Sequence, residues 1–454
     1  MNVMKFGGSS LADASCLERV ADLVLRQTTP PCVVLSAMGD TTDRLFAIGR
    51  GLQEGSPEGA RDALGQLIAR TREAADELLE DPAATHAAIQ QMQNDLDMLV
   101  RGAARWRGPA ARATDAIVAH GERLATTLLA ARLRERGAAV TAVDARHVVR
   151  TNDKFGGAKP NRREIRRLAL QNIAPEPVRG RIVVTQGFVG ATADGATTTL
   201  GRGGSDWSAT LLGAAIGADE VQIWTDVEGV QTADPRVVPE ATPIASLSAA
   251  EAAELAAFGA KILHPSTLQP AIDANIPVTV RHTMQPHGRH TRIEPHDAPG
   301  TGITALAARG PVTVLTMTSR RMLEASGYLA QLFAVFGEMN IPVDLIATAA
   351  VSVACTVEAD APVARIVAEL HGLAHVEVTE RCAIVAAIGD GLQRTPRVLE
   401  RACKALHPIE PVMVSFGGNA RNLSFVVSDA EQSPAVQRLH REFFGAGVPD
   451  GVAS

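Results

Sequence analysis

The sequence predicts an α/β sandwich built on a largely parallel sheet, followed by two smaller α+β units, and three observations carry that expectation. Continuous apolar runs at 32–37 (CVVLSA), 181–186 (RIVVTQ) and 220–225 (EVQIWT) have the composition of strands buried on both faces, and helical sequence separates them. Glycine-rich turns follow a strand at 2–8 and open a helix at 201–207. Beyond residue 302 one strand, helix, strand, strand, helix order occurs twice.

At 454 residues the chain is too long for one typical core. Aromatic residues are only 3% of the total and the formal net charge is -6, so neither base stacking nor a general basic surface favours nucleic acid or an anionic membrane. The five cysteines, Cys16, Cys32, Cys355, Cys382 and Cys403, form no CxxC pair and are expected to be ordinary buried thiols of a reducing compartment. The N-terminus enters a strand without a signal-like segment, and a cytoplasmic location is expected.

The strand at 2–6 ends at Gly7-Gly8, and Asp13 is placed to cap a helix over 14–25. Residues 58–105, rich in Ala, Leu, Glu, Gln and Arg, read as helical hairpins, and another strand is expected at 277–280. The Pro-, Gly- and His-rich stretch 282–302 is expected to be a linker, with His282, His287, His290 and His296 solvated rather than bound to a metal. The first repeat is expected as strands at 312–317, 343–348 and 351–357 with helices at 325–339 and 363–370. The second is expected as strands at 382–388, 412–415 and 423–427 with helices at 397–406 and 435–443.

Chemistry concentrates in two glycine loops. Lys5 stands at a strand end before Gly7 and Gly8, where side-chain-free backbone lets amides approach phosphate oxygens while the ammonium supplies charge. The run TTTLGRGGSD, 197–206, opens a helix expected over 207–216, so exposed amides form a second anion site and Arg202 offers a fork suited to a carboxylate. Ser205 or Asp206 could instead serve only as a cap. Thr225-Asp226 and the loop containing Arg236 could line a nucleotide pocket or merely cap turns. Lys261 ends a helix beginning near 248, where the dipole alone favours a cation.

KFGGSS, AHGERL around Glu122, VVTQGF ending at Phe188, TTTLGRGGSD, WTDVEGV, ADPR and FGAKILHP stand in the order and spacing of the aspartate kinases, which the chain resembles over essentially its entire length. It is most similar to the single-function, lysine-sensitive type. The resemblance implies a three-layer αβα amino-acid-kinase domain over 1–290 and two ACT-type βαββαβ domains, over 303–381 and 382–454. The homoserine dehydrogenase domain of fused relatives is expected to be absent.

The same resemblance implies that Lys5, Gly7, Gly8 and Lys261 hold the phosphates of ATP, with Thr225, Asp226 and Arg236 bordering the nucleotide. Thr42, Glu122, Phe188, Arg202 and Ser205 would surround L-aspartate, Glu122 meeting its ammonium and Arg202 its α-carboxylate. The acceptor β-carboxylate is already ionised at neutral pH, with a pKa near ~4, so no general base is needed. Lys5, Lys261 and Mg2+ carried on ATP would neutralise repulsion between the two anions, and Asp206 would organise them. His120 and His264 are then left to packing or hydrogen bonding.

Two departures stand out. Gln231 replaces a tyrosine common in relatives beside the nucleotide. Around the implied effector residues Met322, Tyr328, Leu329, Val343 and Asp344, Ala325, Ala349 and Ala350 replace polar or acidic residues, so lysine inhibition is expected to be weak while ACT-mediated homodimers or homotetramers persist. The alternatives are a kinase of the same fold acting on acetylglutamate, glutamate or a nucleotide monophosphate, and a catalytically silent amino-acid sensor. KFGGSS with HGE and GRGGSD favours aspartate, and a silent sensor should show degraded kinase loops.

Overall fold

The structure, a computed structural model, describes residues 1–53, 57–103, 110–259, 265–296, 302–323 and 326–445. Its residues fall into two compact units that are discontinuous in sequence. The first comprises the described residues of Met1–Val230, Ala245–Ala249 and Leu263–His296, and the second those of Gln231–Ile244, Ala250–Ile262 and Asp297–Ser454.

The strands of the first unit are β1 (Asn2–Phe6), β2 (Cys32–Leu35), β3 (Val140–Val143), β4 (Ile182–Gln186), β5 (Val189–Ala191), β6 (Thr197–Thr199), β7 (Glu220–Thr225), β8 (Ser246–Ser248), β9 (Val278–His282) and β10 (Thr291–Glu294). Eight of them form one sheet in the order β3-β4-β2-β1-β7-β9-β10-β8, parallel throughout except where β9 meets β10. Strands β5 and β6 make a separate antiparallel pair. The expected linker therefore supplies structure: Thr291 and Ile293 are buried and β10 lies between β9 and β8. Only Thr291 and Ile293 alternate inward there, too short a pattern to stand out among the surrounding turn residues. His282 ends β9, and its Nδ1 accepts a 3.0 Å hydrogen bond from the Met284 amide.

Helices α1 (Ala14–Leu25), α2 (Thr41–Gln53), α3 (Pro57–Leu78), α4 (Ala83–Ala103), α5 (Ala110–Val118), α6 (His120–Glu135), α7 (Arg162–Asn172), α8 (Pro175–Val178) and α9 (Gly204–Ile216) belong to this unit. Helix α10 (Ala249–Ala257) falls mainly in the second unit, and α11 (Pro265–Asp273) returns to the first. The Asp13 carboxylate accepts from the Cys16 amide at 2.8 Å and caps α1, whose Leu17, Val20, Ala21 and Val24 are buried at helical spacing. Helix α9 is buried on most of its surface. A Cβ at Gly213 would come within 2.6 Å of Val221 Cγ2, so glycine permits the helix to lie close to β7.

The second unit contains β11 (Ala305–Thr318), α12 (Tyr328–Glu338), β12 (Ile346–Thr348), β13 (Ser352–Glu358), α13 (Val363–Leu370), β14 (His375–Ile388), α14 (Val398–Leu406), β15 (Met413–Phe416), β16 (Asn422–Ser428) and α15 (Gln432–Phe444). Its strands form one antiparallel sheet ordered β12-β13-β11-β14-β16-β15, so two ACT-like repeats share the central strands. Residues 305–309 of β11 pair with 384–388 of β14, while 312–318 pair with the earlier part of β14 and with β13; the register shifts between Arg309 and Val312.

The two cores divide in the same way. Leu315, Met317, Tyr328, Leu332, Phe336, Val353 and Ile366 form one, whereas Leu306 packs with Val385, Leu423, Phe425 and Leu439 in the other. Strand β14 divides near 381, with 375–379 pairing to 314–318 and 382–388 to β16, whereas residues 305–309 of β11, which precede the first repeat in sequence, belong to the second core. Ala233 and Val238 also enter the second core, and Thr232 bonds to the buried His440 ring at 3.0 Å, so 231–244 packs with the C-terminal repeats. Among the cysteines, Cys32, Cys355 and Cys382 are buried as expected, but Cys16 is half-buried and Cys403 exposed on the outer side of α14. No described helix is long and apolar enough to cross a membrane.

Phe425 is fully buried. Truncation by Phe425→Ala should destabilise this unit by about 3–5 kcal/mol, and scanning calorimetry should show its transition lowered by several degrees.

Candidate active site

The carboxyl ends of β1, β2, β4 and β7 bring most of the sequence-predicted residues to one edge of the first unit. Strand β1 delivers Lys5, only 8% exposed, and its ammonium lies 2.7 Å from a carboxylate oxygen of Asp206 in the first turn of α9. This is a contact of charges, joining the first glycine loop to the second. The Gly7 amide donates to the Trp224 carbonyl at 3.2 Å, which fixes the turn against the end of β7.

Close backbone approach explains the glycines. A Cβ at Gly8 would stand 2.9 Å from the Gly39 carbonyl oxygen and 3.1 Å from that of Ala37, in the loop after β2. One at Gly187 would meet Ser205 Cβ at 2.7 Å, and one at Gly204 would meet the Phe188 ring at 2.7 Å. Phe188 holds a left-handed backbone, φ 64°, stabilised where its amide donates to Ser208 Oγ at 2.9 Å. Ser205 and Phe188 are thereby wedged together at the start of α9.

No side chain caps α9. Gly203 precedes it with φ 70°, and Ser205 and Asp206, the alternatives from sequence, make no cap hydrogen bond. The Gly204 amide donates to the Gly201 carbonyl at 3.0 Å, so the following amides of the turn and the positive end of the helix dipole are what suit an anion. Arg202, one residue earlier, is exposed and makes no ion pair among the described residues. Thr42 is half-buried in the first turn of α2.

Glu122 is 2% exposed in the first turn of α6. Its Oε1 accepts from the Ala37 amide at 3.3 Å, and its Oε2 has no hydrogen-bond partner in the described structure. Burial pushes the carboxyl up to about 8, and the backbone hydrogen bonds offset this only in part. A buried acceptor of this kind is suited to a cation brought by a ligand. Neighbouring His120 has its ring between the Ala116 carbonyl and Arg123, each at 2.9 Å, and burial lowers it to about 4; it serves as a neutral packing group.

Thr225 ends β7 and donates to the exposed Asp226 at 3.1 Å. Its carbonyl accepts from Thr283, whose hydroxyl is 2.6 Å from Ser10 in the first glycine loop. Arg236 lies in the second unit, exposed and bonded through Nε to Asp234 at 3.0 Å. Lys261, like His264, lies outside the described residues.

Of the residues expected around an effector, Met322, Tyr328 and Val343 share one apolar cluster, Leu329 is exposed, and Asp344 pairs with Arg309 at 2.9 Å. The Tyr328 hydroxyl already donates to the Leu373 carbonyl. Ala349 and Ala350 are exposed; Ala325 lies outside the described residues.

Four supports escaped sequence reasoning. Ala37 and Gly39 act through backbone alone and Ser208 lies a turn inside α9, so neither a charge nor a glycine motif marks them. Asp115, wholly buried in α5, accepts from the Gly156 amide at 2.9 Å and from the Thr199 amide and hydroxyl at 3.0 and 2.8 Å. An isolated aspartate in a helical run carries no sequence signal for that role.

Residues 1–282 match the amino acid kinase family and 385–443 match an ACT domain, so the first unit and its glycine loops define the chain as a member of the amino acid kinase family. Within that family it belongs to the aspartokinases. Lysine-sensitive aspartokinase 3 of Escherichia coli is 39% identical over 450 residues, covering 97% of this chain and 99% of its own. Chloroplastic aspartokinase 1 of Arabidopsis thaliana is 36% identical over 470 residues, covering 98% of this chain and 80% of its own. The crystal structure of E. coli aspartokinase III in complex with aspartate and ADP matches with a TM-score of 0.83 at 38% identity, covering 98% of this chain and all of that one (100%).

The carboxyl of Glu122 has a pH signature. Its ordinary value is 4.5 and its value in the fold about 8, so between these pH values the folded chain retains a proton that the unfolded chain has lost. Stability from this group therefore falls as pH rises across that window. Urea unfolding of wild type and Glu122→Gln should diverge in this sense, the variant losing less stability between pH 5 and 8.

Proposed function

We propose that this chain transfers the γ-phosphoryl group of ATP to the β-carboxylate of L-aspartate, forming 4-phospho-L-aspartate in the biosynthetic branch leading to lysine, threonine and methionine. Membership of the aspartokinases supports the reaction class. The observation that carries the substrate assignment is Glu122, whose buried and unpartnered carboxylate oxygen suits the α-ammonium of a free amino acid. An arriving ammonium would draw this carboxyl, raised to about 8 by burial, into its ionised form, and an N-acylated acceptor such as acetylglutamate brings none.

Arg202 takes the α-carboxylate in this reading, beside the uncapped start of α9, with Thr42, Phe188 and Ser205 completing the enclosure. The β-carboxylate, ionised near pH ~4, attacks as it stands and requires no general base. Lys5, Gly7, Gly8 and Lys261 hold the phosphates, while Thr225, Asp226 and Arg236 border the nucleotide. Asp206 orients the Lys5 ammonium at 2.7 Å. One carboxylate together with phosphate oxygens also suits Mg2+, which would supply charge neutralisation when it arrives with ATP. Catalysis then consists of in-line positioning and electrostatic stabilisation.

Lysine is the proposed effector, bound near Met322, Tyr328, Leu329, Val343 and Asp344, in a homodimer or homotetramer assembled through the ACT repeats. The second Asp344 carboxylate oxygen, buried and without a hydrogen-bond partner in the described structure, suits an effector ammonium. Ala349 and Ala350 offer no side-chain hydrogen bond, which weakens inhibition. We also place the enzyme in the cytoplasm, where its free thiols would stay reduced. Gln231 is expected to alter nucleotide affinity.

Trapping with hydroxylamine should give an acyl hydroxamate that depends on ATP and Mg2+ and forms with L-aspartate but not with glutamate or N-acetylglutamate. Lys5→Ala should retain the fold by circular dichroism and lose most of this activity. No product from any acceptor, with an amino acid still bound, would instead favour the silent sensor. In the same assay lysine should inhibit only at concentrations well above micromolar, and half-inhibition at micromolar lysine would overturn the weak-effector reading.

A further inference from the structure

We infer that Asp115 is a positioning residue for aspartate recognition, acting through the segment that presents Arg202; the inference rests on the proposed role of Arg202. Asp115 is 0% exposed, and no cation pairs with it in the described structure. Instead Oδ2 accepts two backbone amides, Gly156 at 2.9 Å and Thr199 at 3.0 Å, while Oδ1 accepts the Thr199 hydroxyl at 2.8 Å. A carboxylate kept from water without a counterion is costly, so its three donors must be held in register for the site to persist. Burial accordingly raises its pKa, and the same hydrogen bonds oppose that rise.

Those donors lie on two different segments, and both lead to the second glycine loop. Thr199 ends β6, three residues before Arg202. The next amide, Leu200, donates to the Phe188 carbonyl at 2.9 Å, and Gly201 then turns with φ 77°. A Cβ on Gly201 would stand 3.4 Å from both the Gly156 oxygen and the Gly157 Cα, so the turn packs on the loop that Asp115 holds from its other side. The Ala158 amide donates to the Thr199 carbonyl at 2.8 Å and completes the clamp. Asp115 thus fixes the stem from which Arg202 projects. It does not bear on Lys5 or Asp206, whose contact runs from β1 to α9.

The experiment measures steady-state kinetics of Asp115→Ala, Asp115→Asn, Arg202→Ala and the double variant Asp115→Ala/Arg202→Ala, with folding checked by circular dichroism. Asp115→Ala should raise KM for aspartate roughly tenfold or more while kcat and KM for ATP change by less than about threefold. Asp115→Asn, which can still accept both amides through its one oxygen, should recover most of the affinity. In the Arg202→Ala background, Asp115→Ala should add little, because the two act on one interaction. Equal losses in kcat and both KM values, or full additivity, would make Asp115 merely structural and overturn the inference. Arg202→Ala with unchanged KM for aspartate would defeat the underlying reading of Arg202; a raised KM there beside an unchanged one in Asp115→Ala would defeat the positioning role alone. Should Asp115→Ala not fold, Thr199→Val removes only the hydroxyl bond and should shift the same KM by roughly threefold.

Discussion

The constraint on which the catalytic unit depends is backbone approach closer than a side chain allows. The loops after β1 and β2 meet at Gly8, the end of β4 meets the start of α9 at Gly187, and the first turn of α9 meets Phe188 at Gly204. Each contact leaves no space for a Cβ without moving backbone or a buried ring. A parallel sheet makes such crowding natural, since its loops emerge together at the carboxyl ends of neighbouring strands. The resulting edge is rich in amides and poor in side chains, which is what two polyanionic or carboxylated ligands require. Charge is added sparingly, by Lys5 held against Asp206, while burial keeps the nearby Glu122 carboxyl protonated well above the usual carboxylate range.

The buried carboxylates show how differently one functional group can be used. Asp115 spends its acceptors on three donors of the protein and fixes a loop. Glu122 has a protein donor on one oxygen, and the other has no partner in the described structure. Asp206 meets an ammonium. Burial alone does not distinguish structural from functional carboxylates; the account of hydrogen-bond donors around each does.

Much of the architecture was legible because it rests on local pattern. The central strands are continuous apolar runs, Asp13 caps α1 as its position suggests, and the glycine loops announce the site through composition. What remained hidden depends on distant partners. Strand β10 sits in turn-rich sequence, the hydrogen bonds of Asp115 appear only when Gly156 and Thr199 are brought to it, and the assignment of 231–244 to the second unit follows from Ala233, Val238 and Thr232 meeting Leu306, Val385, Phe425 and His440 from far along the sequence. The repeat pattern correctly disclosed two similar units in the C-terminal region but could not show that β11 and β14 serve both, because strand sharing leaves no periodic trace.

That sharing bears on what can be removed from the C-terminal region. Because β11 contributes 305–309 to one core and 312–318 to the other, removing the first repeat as a block of sequence would take a central strand from the second. The pair is therefore structurally a single module, unlike beads on a string that can be removed one at a time. A point substitution at exposed positions such as Ala349 and Ala350, by contrast, leaves the common strands untouched.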